Sequence, residues 1–423
     1  MYKIIKKGHY GFIRPEPDDK LKVILSNTLS YKNKWYPNMP EWAKRTRLYN
    51  KRFGMFRWGL IYRVEKVLKH YNIKYQVSEA PQILPQWQLN PILRPYQIKA
   101  IDQFKKYQLG IIQLPCGAGK TMIALEIFKQ LARPKTCVIV HTNELKRQWE
   151  EQNGNKLLDV WTYQKLCRPE NVGEIANYEF IIADECHLCK CKSIKNIFSK
   201  SKAKYILGLS ASPTREDGHD MQIEECVGQV IYTESTADLI EQGYLSQAKI
   251  FMHNIEYHND YFETYPELYA DNIVLNDERN QTIQTICDDN KCLKTLVLVD
   301  RIEHGKLLYD MLKNKHKVIF FHSGMKQRKK QYELIKNQHY DIIISTQIFD
   351  TGIDFPWLHS LILASGGKSS VRIIQRTGRL LRTFAGKDKA LIHDFDDKAK
   401  LLKKHTKIRM QYYIDNKFEV NKD

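Results

Sequence analysis

The chain has 423 residues, 43% of them hydrophobic, with a formal net charge of +19. That length allows two or three domains of about 150 residues each, and the apolar share suits globular folding rather than disorder. No apolar run reaches 18 residues, so no spanning helix is expected; the opening Met1-Tyr2-Lys3-Ile4-Ile5-Lys6-Lys7 lacks the apolar core of a secretory signal; and nine cysteines without a disulfide framework fit a reducing cytoplasm.

Residues 1–80 carry eighteen Lys/Arg against six Asp/Glu, so the positive charge is concentrated at the start. The same segment holds Tyr31, Trp35, Tyr36, Trp42, Tyr49, Phe53, Phe56, Trp58 and Tyr62. Basic residues interleaved with rings suit nucleic-acid binding, by phosphate neutralisation and base stacking. The alternative is a small domain with an aromatic core and a solvated basic rim, and many of these rings are core under either reading. The runs Lys22-Val23-Ile24-Leu25 and Lys74-Tyr75-Gln76-Val77 read as strands, and residues 59–70 as a helix. The segment 1–84 is thus expected to be a basic, aromatic-rich α+β domain that binds DNA. Pro81, Pro85 and Pro91 punctuate a linker after it.

From about Leu93 to Ser235, apolar strand runs alternate with amphipathic helical runs, the pattern of a parallel α/β sheet. The strand-like Gly110-Ile111-Ile112-Gln113 leads into Leu114-Pro115-Cys116-Gly117-Ala118-Gly119-Lys120-Thr121, which opens a helix. A glycine turn at a helix start is a phosphate cradle, because backbone N–H groups and the helix dipole both favour an anion there. Lys120 would reach the β/γ-phosphates and Thr121 would hold Mg²⁺. Leu114 stands where the usual pattern has its first glycine. About 60 residues on, Phe180-Ile181-Ile182-Ala183 runs into Asp184-Glu185-Cys186-His187. Asp184 would hold the Mg²⁺ and Glu185 would orient and deprotonate an attacking water. Tyr205–Leu209 then ends in Ser210-Ala211-Ser212, hydroxyls able to bond His187 and sense the γ-phosphate.

Residues 236–423 repeat the alternation and end in basic, helical sequence. Thr136–Val140 and Tyr178–Ile182 find counterparts in Thr295–Val299 and Tyr340–Ile344, which suggests two similar lobes. Cys186, His187, Cys189 and Cys191 crowd together, but not as two separated ligand pairs, so neither zinc nor an iron–sulfur cluster is predicted.

In this order the runs resemble those of a superfamily 2 helicase over about residues 93–415. That resemblance implies two RecA-like lobes in tandem, 85–235 and 236–423, an α/β fold with a small α+β domain in front. Leu93-Arg94-Pro95-Tyr96-Gln97 resembles the Q-motif, with Arg94 and Gln97 at the adenine. Gly117, Ala118, Gly119, Lys120 and Thr121 lie in motif I. His141-Thr142 with Leu145 and Trp149 resembles motif Ia, and Thr162-Tyr163 motif Ic; Thr142, Thr162 and Tyr163 are implied contacts to the nucleic-acid backbone. Asp184-Glu185-Cys186-His187 is motif II in its DExH form, and Ser210-Ala211-Ser212 is motif III. Leu296–Val299 resembles motif IV. Ser345-Thr346-Gln347, then Asp350-Thr351-Gly352-Ile353-Asp354-Phe355-Pro356, resembles motif V: Thr346 would touch nucleic acid, while Gly352 and Asp354 would face the nucleotide. Gln375-Arg376-Thr377-Gly378-Arg379-Leu380-Leu381-Arg382 matches motif VI: Arg379 and Arg382 are implied arginine fingers, with Gln375 and Arg376 organising the site. An arginine on the departing phosphoryl group is worth about 10³–10⁵ in rate. His187, Ser210, Ser212, Gln375 and Arg376 would couple hydrolysis to movement.

Similar features occur in XPB-type repair helicases and phage branch-migration helicases of the UvsW type, and the compact size is phage-like. These include Leu209–Gly218, Leu239–Leu245 and the tail His405, Arg409, Tyr412. The expected activity is an ATP- and Mg²⁺-dependent helicase, acting as a monomer on forked, branched or duplex DNA, alongside replication or recombination proteins in the cytoplasm, a host's if the gene is a phage's. An RNA-remodelling ATPase and an ATP-gated nucleic-acid-binding subunit are the other readings.

Overall fold

The computed structural model describes residues 1–32, 40, 44–78, 84–152, 157–188, 191–211, 220–256, 264–346, 355–366, 378, 380–384, 387 and 389–422. The chain forms two compact units: Met1–Leu114 with Gly119–Glu234, and Pro115–Ala118 with Ser235–Asp423.

The first unit begins with β1 (Tyr2–Lys7), β2 (Tyr10–Arg14), helix α1 (Asp19–Thr28), β3 (Ser30–Lys32), β4 (Arg45–Arg47), β5 (Tyr49–Asn50), β6 (Met55–Arg57), α2 (Ile61–His70) and β7 (Tyr75–Val77). Five of the strands make a mixed sheet in the order β5-β6-β2-β1-β7, in which only β1 and β7 run parallel. Ile4, Ile13, Leu25, Phe56, Leu60, Val64 and Leu68 fill its core. The strand expected at Lys22–Leu25 is instead the middle of α1. The Asp18 carboxylate accepts from the Leu21 N–H at 2.8 Å and caps the helix start. Leu21 and Leu25, four apart, bury one stripe, and this helical period overrides the β preference of Val23 and Ile24. Among the segment's rings, Tyr49 and Phe56 are core, Trp58 and Tyr62 half-buried, and Phe53 exposed; Trp35, Tyr36 and Trp42 lie outside the described residues.

The remainder of the first unit alternates helix and strand: α3 (Pro95–Tyr107), β8 (Leu109–Gln113), α4 (Lys120–Gln130), β9 (Thr136–Val140), α5 (Asn143–Gln152), β10 (Leu158–Thr162), α6 (Tyr163–Leu166), β11 (Phe180–Ala183), α7 (Cys191–Lys200), β12 (Tyr205–Ser210), α8 (Asp220–Val227) and β13 (Val230–Thr233). The six strands are all parallel, in the order β10-β9-β11-β12-β8-β13. Parallel sheets are covered on both faces, which is why β9, β11 and β12 are buried at every residue and read as unbroken apolar runs.

Helix α8 fastens the small N-terminal sheet to this larger one. Arg63 of α2 makes a bidentate pair with Glu224 of α8, Nη2 donating at 2.8 Å. Gly59 sits so close to α8 that a Cβ there would lie 2.1 Å from the Glu224 carbonyl oxygen.

The second unit holds β14 (Gln247–Asn254), β15 (Thr295–Leu298), β16 (Val318–Phe321), β17 (Ile342–Ser345), β18 (Ser360–Leu363), β19 (Lys389–Asp396) and β20 (Glu419–Lys422). They form a second all-parallel sheet, in the order β16-β17-β15-β18-β19-β14-β20. In each sheet the two similar runs are neighbouring strands, but their order is exchanged: β9 lies beside the edge strand β10 in one, and β17 beside the edge strand β16 in the other. β9 pairs with β11 from Thr136↔Phe180, and β15 pairs with β17 from Thr295↔Ile342. The fold is therefore α/β with two parallel-sheet lobes and a small mixed sheet in front. No helix among the described residues is long and apolar enough to cross a membrane.

Candidate active site

In a parallel α/β sheet, ligands gather at the carboxyl ends of the strands, where the loops into the helices open. The loop from β8 to α4 is such a place. Gly119, at the start of α4, has φ +77, and Gly117 has φ +85, backbone that residues with a Cβ rarely adopt. Gly119 is also required by packing, since a Cβ there would meet Gln97 Nε2 at 2.4 Å. Gln97 is fixed from below: its side-chain oxygen accepts from the Arg94 N–H at 2.9 Å, closing a capping box at the start of α3. The residue expected to read adenine thus lies directly on the phosphate loop. Arg94 reaches the Tyr96 hydroxyl at 3.2 Å.

Lys120 Nζ donates to the Leu114 carbonyl at 3.1 Å and stands 3.8 Å from Glu185 Oε1. Thr121, half-buried, is the next residue of α4. The β12 strand supports the loop, because the Leu114 N–H donates to the Ser210 carbonyl at 3.0 Å. Two strands away in the sheet, β11 delivers Asp184 and Glu185. Glu185 has φ +45, which turns the chain sharply after the strand. Asp184 is buried, and burial, then the neighbouring Glu185 carboxylate, push its pKa up to about 6. Its Oδ1 accepts from the Glu185 N–H at 3.0 Å. His187 Nδ1 is 2.8 Å from Ser210 Oγ and 3.4 Å from Glu185 Oε2. The structure therefore gathers Gln97, Gly119, Lys120, Asp184, Glu185, His187 and Ser210 on the carboxyl edge of one sheet.

One contributor escapes a reading of the sequence alone. Trp149, near the end of α5, donates its indole N–H to Asp184 Oδ2 at 2.8 Å and is 2% exposed. Its position in the motif Ia run marks it as part of a pattern; the only chemical signal is an indole donor that must find an acceptor when buried.

The expected strand contacts divide. Thr142 Oγ1 accepts from the Leu145 N–H at 3.2 Å at the start of α5. Thr162 Oγ1 accepts from the Lys165 N–H at 3.3 Å and caps α6. Tyr163 is 3% exposed and packs with Ile139, Ile175 and Ile194 in the lobe's core. Its ring is held inside by burial of apolar area.

In the second unit, Thr346 follows β17 half-buried. The short segment Pro115–Ala118 belongs to this unit. A Cβ on Gly117 would lie 2.8 Å from Arg382 Cγ, and one on Gly378 would lie 2.8 Å from Cys116 Cβ. Ala118 is buried there, its N–H donating to the Pro115 carbonyl at 3.3 Å. Burial holds the Arg382 guanidinium below its usual pKa. Lys387, which no motif singles out, is buried: its Nζ donates to the Leu380 carbonyl and, at 3.4 Å, to that of Pro356. It ties the end of the motif V run to Leu380 within the motif VI run, and burial pushes its pKa down to about 8. Ser212, Gly352, Asp354, Gln375, Arg376, Arg379 and Cys189 lie outside the described residues.

Residues 90–159 and 150–215 match the family described as type III restriction enzyme, res subunit, and residues 278–384 match the helicase conserved C-terminal domain. The ATP-dependent DNA helicase uvsW of Enterobacteria phage T4 is 24% identical over 89% of this chain and 89% of its own. The DNA 3'-5' translocase XPB2 of Sulfurisphaera tokodaii is 25% identical over 69% of this chain and 78% of its own. Among solved structures, the ATP-dependent type ISP restriction-modification enzyme LlaBIII bound to DNA shares the fold, with a TM-score of 0.57 at 17% identity over 78% of this chain and 31% of that one. A sheet edge that gathers Lys120, Asp184, Glu185 and His187 on one parallel lobe, a second lobe that matches the C-terminal helicase domain and these relatives agree: the chain belongs to the superfamily 2 helicases of the DExH type, ATP-driven enzymes, and is similar to their XPB-type and phage UvsW-like DNA helicases.

Proposed function

We propose that this helicase uses ATP to unwind or branch-migrate forked and Holliday-type DNA in replication, recombination or repair. The reading is carried by the meeting of Lys120, Glu185, Asp184, His187 and Ser210 at one sheet edge. The loop N–H groups of Gly117, Ala118, Gly119 and Thr121 would cradle the phosphates. Lys120, now on the Leu114 carbonyl, would exchange that partner for the β/γ-phosphates. Gln97 and Arg94 would hold adenine.

Glu185 would orient the attacking water and accept its proton, and the His187–Ser210 pair, with Ser212, would report the γ-phosphate to the rest of the lobe. Asp184 and Thr121 suit Mg²⁺: a buried carboxylate whose pKa burial and a like charge have raised is relieved by a divalent cation. When bound, the ion neutralises charge on the phosphate oxygens. We assign Arg379 and Arg382 to the charge that builds on the departing phosphoryl group, Gln375 and Arg376 to their placement, and Gly352 and Asp354 to the nucleotide. Thr142, Thr162 and Thr346 would grip the strand backbone; the buried Tyr163 is not assigned a contact. Trp149 is added as a positioning residue. It sits on the helix that starts just after Thr142 and bonds Asp184, which links strand grip to the metal-holding carboxylate.

ATP hydrolysis measured with forked DNA, four-way DNA, duplex DNA and single-stranded RNA as separate stimulants tests this. Branched DNA is expected to stimulate most, with strand displacement or branch migration by the protein alone. Stimulation by RNA only, or DNA binding without any strand movement, would sink it. Lys120→Ala is expected to cut turnover by at least about 10²-fold while sparing much DNA binding.

A further inference from the structure

A cavity of about 1000 Å³ opens within the first unit, between the N-terminal sheet and the parallel sheet. That is the upper end of the range for small-molecule sites, about 300–1,000 Å³. It is lined by Leu109 at the start of β8 and Ile206 near the start of β12. The phosphate loop and Asp184 follow the opposite ends of β8 and β11, and Thr142 follows the same end of β9. The cavity therefore lies on the sheet edge away from both the nucleotide and the strand path through Thr142.

Its walls carry Lys6, Lys106, Lys202 and Lys204, together with the rings of Trp58, Tyr62 and Tyr107. Cations lie over two of the rings: Lys6 Nζ is 5.4 Å from the Trp58 ring centre, and Lys106 Nζ 5.2 Å from that of Tyr107. Tyr62 and Tyr107 meet edge to face at 5.0 Å. Two carboxylates also line the space, and both are engaged. Glu65 accepts from the Tyr75 hydroxyl at 3.0 Å, and Glu225 pairs with Lys195 at 2.5 Å. Four ammonium groups and two carboxylates thus line the cavity, an excess of basic side chains. Lys106, Lys202 and Lys204 are exposed.

A basic groove with ring faces along it matches a single nucleic-acid strand, whose phosphates need cations and whose unpaired bases stack on any aromatic face. A duplex offers no free base faces and would leave the rings unused. We propose that this seam groove is a second nucleic-acid site, which holds a single strand of DNA released by unwinding. The groove rests on the helicase reading and adds a separate site to it.

The test is photo-crosslinking of the whole protein to a forked DNA carrying 5-iododeoxyuridine in its single-stranded arms, followed by peptide mapping. Crosslinks at Trp58, Tyr62 or Tyr107 are expected. Crosslinks that spare every residue lining the groove, alongside DNA-stimulated ATP hydrolysis, would overturn the groove and leave the helicase intact. Absence of any DNA-stimulated hydrolysis would instead strike the helicase reading, and the groove with it. Combining Lys106→Ala, Lys202→Ala and Lys204→Ala is expected to flatten the dependence of log affinity for single-stranded DNA on log salt by about 2, at about 0.7 for each phosphate no longer neutralised. Tyr107→Ala is expected to weaken single-stranded DNA about 5- to 150-fold, the worth of one stacked base, with blunt duplex affinity kept. An unchanged salt slope and unchanged affinity in variants that melt like the parent would overturn the proposal, as would protection of the groove by ATP alone.

Discussion

Individual residues show how much of this site depends on groups that sequence pattern does not rank. Asp184 is legible as a carboxylate at a strand end; its indole partner is not, because Trp149 is 35 positions away and only the fold brings the two together. A hydrogen bond to a charged group is worth about 1.5–3 kcal/mol. Trp149→Phe keeps the ring and removes the donor, so it is expected to lower kcat for DNA-stimulated hydrolysis by about 10-fold with a smaller change in KM for ATP. Steady-state ATPase with and without DNA decides it, and equal loss in both conditions would mean Trp149 serves the site without linking it to the strand.

Another buried group sets a pH dependence. His304 Nε2 donates to Asn280 Oδ1 at 2.9 Å, and burial, then Arg279, push its pKa down to about 3 from 6.5. The folded state holds it neutral while the unfolded chain takes up a proton below about 6.5, so this contribution to stability is present above that pH and is lost as pH falls toward 3. His304→Gln is expected to flatten the acid limb of a chemical-denaturation profile across that window; an unaltered slope would contradict it.

Elements differ in how openly the sequence declares them. Buried parallel strands are unmistakable, and the lobes' repeated strand runs fall in matching pairs, because a strand covered on both faces must be apolar throughout. The run Lys22–Leu25 misleads for the same reason read backwards: a short apolar run has no period of its own until its neighbours define one, and here Asp18, Leu21 and Leu25 define a helix. The C-terminal helix Lys400–Asp415 is basic in sequence, as a solvated helix would be, yet Arg409 is 1% exposed. Its Nε donates to Asp394 at 2.8 Å and its Nη2 to Asp397 at 3.3 Å, and Asp397 also pairs with Arg279 at 2.6 Å. This network clips the helix to β19. Breaking a buried pair by removing one partner costs about 3–5 kcal/mol, so Arg409→Met is expected to destabilise the second unit by that order in urea unfolding. A change below about 1 kcal/mol would show that the carboxylates find other partners.

On the scale of the whole molecule, the basic segment that reads as a separable module shares a compact unit with the first lobe. Gly59 against the Glu224 carbonyl and the bidentate Arg63–Glu224 pair make the seam a packed interface. Deletion of residues 1–84 is therefore expected to weaken junction binding and also to lower the melting temperature, since it bares Met221 and leaves Glu224 without its guanidinium. Full retention of junction affinity would reduce the segment to a structural cap. Gly59→Ala is a milder probe: overpacking of this kind costs about 1–3 kcal/mol, read as a lowered urea midpoint.

The sequence by itself determined the two parallel lobes, the glycine turn that opens α4, the acidic strand end and the helicase family, because each is written in residues close together along the chain, where strand, turn and helix start must succeed one another. Only the tertiary structure decided that Trp149 holds Asp184, that Gln97 rests on Gly119, that Tyr163 is core and that lysines from β1, α3 and the approach to β12 surround one groove. Those facts depend on which distant segments meet, and that is set by burial and packing across the sheets rather than by any local period.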